Sequence, residues 1–172
     1  IYMGILVGTS IVFLLPAIII VWVLTGSLDF STNGVLKDNI SNEYVPFLLA
    51  LFAFGIGKAA LMPFHKWLPA AMVAPTPVSA LLHAVAVVKA GVFSMLVVIT
   101  YVFGIDFLSE TNGAVWLIWI SSITLLLSSC IAITKDDLKA RLAYSTISQL
   151  SYIVLGGATV SYTHLRAHET AT

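Results

Sequence analysis

The chain has 172 residues, 59% of them hydrophobic and only 9% charged, with a formal net charge of zero and a mean hydropathy of +1.02. A soluble domain of this size keeps roughly a third of its chain surface wet and could not hide so much apolar surface, so an integral membrane protein is expected. The neutral balance gives no basis for a nucleic-acid partner or a polybasic lipid patch, and the single cysteine, Cys130, excludes a disulfide framework or a cysteine metal cluster.

Five runs are long enough to cross a hydrocarbon core, which takes about 20 helical residues. The first covers about Ile1–Leu24, with the small-xxx-small pair Gly4 and Gly8 and a kink expected at Pro16. A polar loop, Ser27–Glu43, precedes a second span from Tyr44 to Leu61 that carries Lys58 near its end. Pro63 and Pro69 then remove helical hydrogen bonds and predict a broken helix with a short segment Phe64–Val73. Such a break at membrane depth is tolerated only where the backbone is buried in protein or lines a wet cavity. Trp67, beside it, suits an interface anchor.

The third span begins at Thr76-Pro77, an N-cap followed by proline at the first helical position, and runs to Phe103 with His83 and Lys89 inside it. After a loop with Asp106 and Glu110 comes the uncharged fourth span, Ala114–Thr134, in which Cys130 reads as a small apolar filler. A basic turn, Lys135–Arg141, leads to the fifth span, Leu142–Val160. Its basic residues predict a cytoplasmic turn, whereas the Asp106/Glu110 loop has none. Asp136 and Asp137 read as a solvated turn with internal ion pairs rather than a metal site. The chain begins inside an apolar run without a signal-peptide charge pattern, which reads as an internal fragment. Residues 1–160 form the expected membrane domain, and the abruptly polar tail 161–172 reads as foreign to it.

The ionisable residues within the spans are Lys58, His83 and Lys89. An ionised lysine at the bilayer centre costs about 2.5–3.5 kcal/mol on insertion scales, so each needs a partner, water or a lowered pKa. His83 and Lys89 lie six residues apart, about 9 Å along an ideal helix and roughly 120° apart around it, so a water chain or a helix bulge would have to link them. The functional reading is a proton relay, because a buried lysine pushed toward neutrality and a histidine can both exchange protons. The competing reading is structural: a lysine near a helix end snorkels, and one histidine can simply be packed. His65, at the proline break, is a candidate point for protons to enter.

Two motif blocks carry a family resemblance. Gly57-Lys58-Ala59-Ala60-Leu61-Met62-Pro63-Phe64-His65-Lys66-Trp67-Leu68-Pro69, continued by Pro75-Thr76-Pro77-Val78-Ser79-Ala80-Leu81-Leu82-His83-Ala84, resembles the antiporter-like subunits of respiratory complex I and the large subunits of Mrp-type cation/proton antiporters. Asp137-Leu138-Lys139-Ala140-Arg141-Leu142-Ala143-Tyr144-Ser145 resembles the same family further on. The resemblance implies an all-α, polytopic bundle built from inverted repeats, with one helix broken near Pro63. It also implies that Lys58, His83 and Lys89 lie on a central polar axis that carries protons. The lysine's glutamate partner and the second broken helix would lie outside this chain.

Between the two hosts, the run Ala84–Gly91 and the loop Gly104–Glu110 are more similar to an antiporter D-type subunit; the proton-pumping subunit of NADH:quinone oxidoreductase or a related hydrogenase is the alternative. Expected partners are other membrane subunits, protons with Na+ or K+, and the lipid of a bacterial inner membrane. A scaffold subunit and a haem protein ligated by His65 and His83 are the remaining readings, the latter weakened because only one histidine lies deep in a span. No nucleotide, flavin or iron–sulfur motif is present, and neither a cofactor nor a metal is expected.

Overall fold

The computed structural model describes residues 2–26, 29, 34–36, 40–71, 75, 77 and 87–169. Among these every regular element is helical. The first span is one continuous helix made of α1 (Tyr2–Thr9), a π-helical turn (Ser10–Leu14) and α2 (Leu15–Thr25). The expected disturbance at Pro16 takes the form of that turn. The Leu15 N–H reaches back five residues to the Ser10 carbonyl, and the wider turn directly precedes the ring that cannot donate. Gly26, at φ +70°, ends the helix in the left-handed conformation that glycine adopts without strain.

The second span is α3 (Val45–Gly55), opened by Pro46 in its first turn. It stops at Ile56, ahead of Lys58, rather than running to Leu61 as its composition suggests. The break that follows holds a 3-10 turn over Gly57–Ala59, Ala60 at φ +54°, a cis Met62-Pro63 bond and a second 3-10 turn over Phe64–Lys66, before α4 (Trp67–Ala71). Proline therefore lies inside the break without starting it.

The third span is described from α5 (Val87–Val97) through a π-helical turn (Val98–Phe103); its expected start at Thr76 and the position of His83 lie outside the described residues. Its final carbonyls are capped from afar. Val35 N–H donates to the Val102 carbonyl at 3.0 Å and Leu36 N–H to the same oxygen at 3.2 Å, with the Leu36 side chain fully buried. A short helix α6 (Ile105–Glu110) precedes α7 (Val115–Thr134) and α8 (Leu138–Glu169). The backbone of α8 runs past Val160, where the sequence suggested an end, because no proline or glycine interrupts Ser161–Glu169.

Among the described residues, two helices, Met3–Thr25 and Val115–Thr134, are long and apolar enough to cross a bilayer, with mean hydropathies of 2.6 and 2.0. The apolar side chains they leave exposed, among them Ile11, Ile19, Trp119 and Leu126, would face lipid or neighbouring protein. Cys130 is likewise exposed rather than a core filler.

Helices α7 and α8 form a hairpin packed through small and hydroxylated residues. Ser121, Thr124, Ser128 and Ala132 face inward from α7, and Ala143, Ile147, Ser151 and Ala158 from α8. The buried hydroxyls are satisfied within their own helices, Ser121 to the Leu117 carbonyl at 2.7 Å and Ser151 to that of Ile147 at 2.8 Å. Across the hairpin the Ser129 and Ser148 hydroxyls lie 2.8 Å apart. A second tie is aromatic: Phe54 packs against Phe13, Phe64 and Trp116 at centroid distances of 6.5, 5.9 and 6.2 Å, joining the first helix, the break and α7.

The glycines of the first span and of α3 have opposite surroundings. A Cβ at Gly4 or Gly8 would meet nothing within 4 Å, so that pair makes no helix contact among the described residues. A Cβ at Gly55 would lie 2.6 Å from the backbone nitrogen of Leu14, which cannot yield as a flexible side chain does. Gly55→Ala is therefore expected to destabilise the full-length protein by about 1–3 kcal/mol, while Gly4→Ala costs nothing. Thermal unfolding in detergent checks this, and equal midpoints for the two variants would refute the close approach.

Candidate functional site

The site is built around the break. Two glycines there, Gly55 and Gly57, meet the first helix at close range, and Gly57 meets α4 as well. Gly55 lies against Leu14, and a Cβ at Gly57 would come within 2.5 Å of the Thr9 hydroxyl. Thr9 is itself fixed, its hydroxyl donating to the Ile5 carbonyl at 2.9 Å, and the residue is 4% exposed. From the other side the Trp67 indole N–H donates to the Gly57 carbonyl at 2.9 Å. Trp67 is only 1% exposed, so it is a buried strut across the break and not the interface anchor its composition suggests.

The Gly57 carbonyl accepts a second bond, from the Ala60 N–H at 3.2 Å, and the Ile56 carbonyl accepts from Ala59 N–H at 2.9 Å. The backbone of Lys58 sits inside this turn, between the doubly bonded Gly57 and the fully buried Ala59. Further along, the Met62 N–H reaches the Thr124 hydroxyl of α7 at 3.4 Å, which ties the break to the hairpin. Thr9, Trp67 and Thr124 were not among the residues expected to matter here. The spacing of Ser121, Thr124 and Ser128 on one helical face was the available sequence signal for the last of them.

Lys89 is placed differently. Helix α5 packs against the turn that carries Lys58, and Val92 and Met95 are among its buried residues. Lys89 is on the exposed side of that helix, one turn before Phe93 and Ser94. Those two residues line a cavity of about 720 Å³ whose opposite walls are Ser10, Leu14 and the broken backbone Gly55–Gly57. A largely apolar cleft thus lies between the two lysine-bearing segments. His83, the proposed intermediate, lies outside the described residues.

His65 is 9% exposed, and its Nδ1 is buried without a hydrogen-bond partner among the described residues. Its ring packs against that of Tyr144 on α8, with centroids 6.2 Å apart, while the neighbouring Lys66 is exposed. Tyr144 lies one turn beyond Arg141, so the buried imidazole is close in the fold to the exposed charges of the Lys135–Arg141 turn.

Residues 1–170 match the NADH:quinone oxidoreductase/Mrp antiporter transmembrane family. The chain belongs to that family. It is 39% identical over 166 residues to the chloroplastic NAD(P)H-quinone oxidoreductase subunit 5 of Lotus japonicus, covering 90% of this chain and 22% of that protein. Chain 5 of the same oxidoreductase from a Picosynechococcus species is 41% identical over 156 residues, covering 84% and 23%. Among solved structures, the Mrp complex from a Dietzia species superposes with a TM-score of 0.75 at 34% identity, covering 91% of this chain and 17% of that one. The chain therefore spans less than a quarter of the length of these relatives, and the all-helical membrane fold expected from its sequence is that of an antiporter-like subunit.

In this family member the Tyr144 ring is the aromatic neighbour that helps keep His65 from water. With Cys130→Ser as background, a cysteine placed by His65→Cys is expected to react slowly with a hydrophilic maleimide. Adding Tyr144→Ala should accelerate labelling several-fold, read by mass shift in membranes. Equal rates with and without the tyrosine ring would refute the shielding.

Proposed function

We propose that the chain is part of an ion-translocating subunit that moves protons along a buried polar path. Lys58 is its switchable charge, His83 an intermediate carrier, Lys89 the link to following helices, and His65 the point where protons enter. The observation that carries this reading is the break: a helix opened at the backbone of Lys58, with the preceding Gly57 carbonyl held by the buried Trp67 indole, beside a cleft faced by the helix that carries Lys89. Maintaining an unwound segment inside apolar surroundings is costly, and this one includes the backbone of a titratable residue. A change of charge nearby would shift the lysine's proton affinity and drive its proton onward.

The host we propose is a multisubunit monovalent cation/proton antiporter in a bacterial inner membrane, with Na+ or K+ as the exchanged ion and the Lys135–Arg141 turn on the cytoplasmic side. The superposition on the Mrp complex supports it. The names of the curated relatives favour a second reading, a proton-pumping membrane subunit of an NAD(P)H-quinone oxidoreductase that itself carries no redox centre.

Inverted membrane vesicles containing the full-length subunit in its assembled complex test both. An acid gradient that collapses on adding NaCl or KCl supports the antiporter, and acidification driven by NADH supports the oxidoreductase. In either host, removing a positioned proton carrier is expected to cost about 10²–10⁴-fold in transport, so Lys58→Ala should be nearly silent. Wild-type transport by an assembled Lys58→Ala or Lys89→Ala complex would refute the relay.

A further inference from the structure

We infer that Trp67 is a positioning residue for the proton path, holding the Lys58 backbone through the carbonyl of Gly57; this rests on the relay proposed for Lys58. Indole nitrogen is a donor only, and whereas the buried indole nitrogen of Trp116 has no partner among the described residues, that of Trp67 has one. Here it selects the residue immediately before the lysine, ten positions back across the proline turn, at 2.9 Å in a buried contact. The same carbonyl closes the 3-10 turn with Ala60 N–H at 3.2 Å, and Ala60 holds φ +54°, a conformation unusual for alanine.

On its other side Gly57 has no room to move, since a Cβ would meet the Thr9 hydroxyl at 2.5 Å and that hydroxyl is bonded to the Ile5 and Leu6 carbonyls at 2.9 and 3.2 Å. The peptide that begins Lys58 is thus fixed between two elements distant in sequence. Losing the indole N–H frees one side of it and lets the turn, with its lysine, shift relative to the helices that surround the path.

The test uses the full-length subunit in its complex. Trp67→Phe keeps an aromatic ring and removes the donor. Amide hydrogen exchange across 57–60 should accelerate, and transport should fall roughly tenfold, the scale of one buried hydrogen bond lost, with a displaced pH profile. A second variant approaches from the Thr9 side: Gly57→Ala should impair transport in the same way, and the pair Thr9→Ala with Gly57→Ala should restore part of it. Lys58→Ala separates the two ideas. If it transports normally, the relay itself fails. If it is inactive while Trp67→Phe exchanges faster yet transports with a wild-type rate and pH profile, only the role of Trp67 is overturned. Unchanged exchange in Trp67→Phe also overturns it, because the bond then does not hold the turn.

Discussion

Backbone groups released by unwinding a helix have no water to bind in hydrocarbon, and each must find a partner within the protein. Between Ile56 and Ala60 the Ile56 and Gly57 carbonyls find theirs in two ways. Local 3-10 bonds take up Ile56 and Gly57, and a side chain from the far side of the proline turn takes the remaining capacity of the Gly57 carbonyl. Both depend on close approach, which explains the glycines on either side of Ile56: one admits the backbone of the π-helical turn in the first span, the other the Thr9 side chain. The two helix irregularities are therefore one feature seen from two chains of contacts. The turn at Ser10–Leu14 adjusts the first helix ahead of Pro16 and meets the position where α3 ends.

Away from the break, polar groups are kept local. The serines and threonines buried in the α7–α8 hairpin bond to carbonyls one turn back, so they let two helices approach without leaving a donor unpaired. Two contacts reach further: the Ser129 and Ser148 hydroxyls meet across the hairpin at 2.8 Å, and the Thr124 oxygen also lies 3.4 Å from the Met62 amide. The hairpin can thus anchor the break through Thr124, an uncharged residue.

The membrane class and the existence of a broken helix around Pro63 were legible in the sequence because each rests on a local property: apolar run length or proline chemistry. The point at which α3 ends was not. Leu51–Leu61 is uniformly apolar except for Lys58, and nothing in its period distinguishes helix from open turn. What ends it is the fit of Gly55 against Leu14, some forty residues away. Trp67 was misplaced for a related reason, since an indole beside a basic residue is equally suited to a lipid interface or to a buried acceptor, and only the position of the Gly57 carbonyl decides. Cys130 reads in the sequence as a small apolar filler, and it lies on an exposed face of the hairpin. The partner of Tyr144 could not be read either, because its contact with His65 spans nearly eighty residues.

The contrast between the two lysines then acquires a physical sense under the proposed relay. Lys58 belongs to a turn whose backbone is bonded on both sides, whereas Lys89 rides on ordinary helix beside a cleft. Coupling between two charges varies inversely with their separation: at an effective dielectric of about 20, moving from ~5 to ~6 Å changes it by about 0.5 kcal/mol, or roughly 0.4 of a pKa unit. A relay that works by shifting one group's proton affinity with another's charge is therefore sensitive to displacements smaller than a side chain's own freedom. Fixing the backbone at one end removes a large part of that uncertainty.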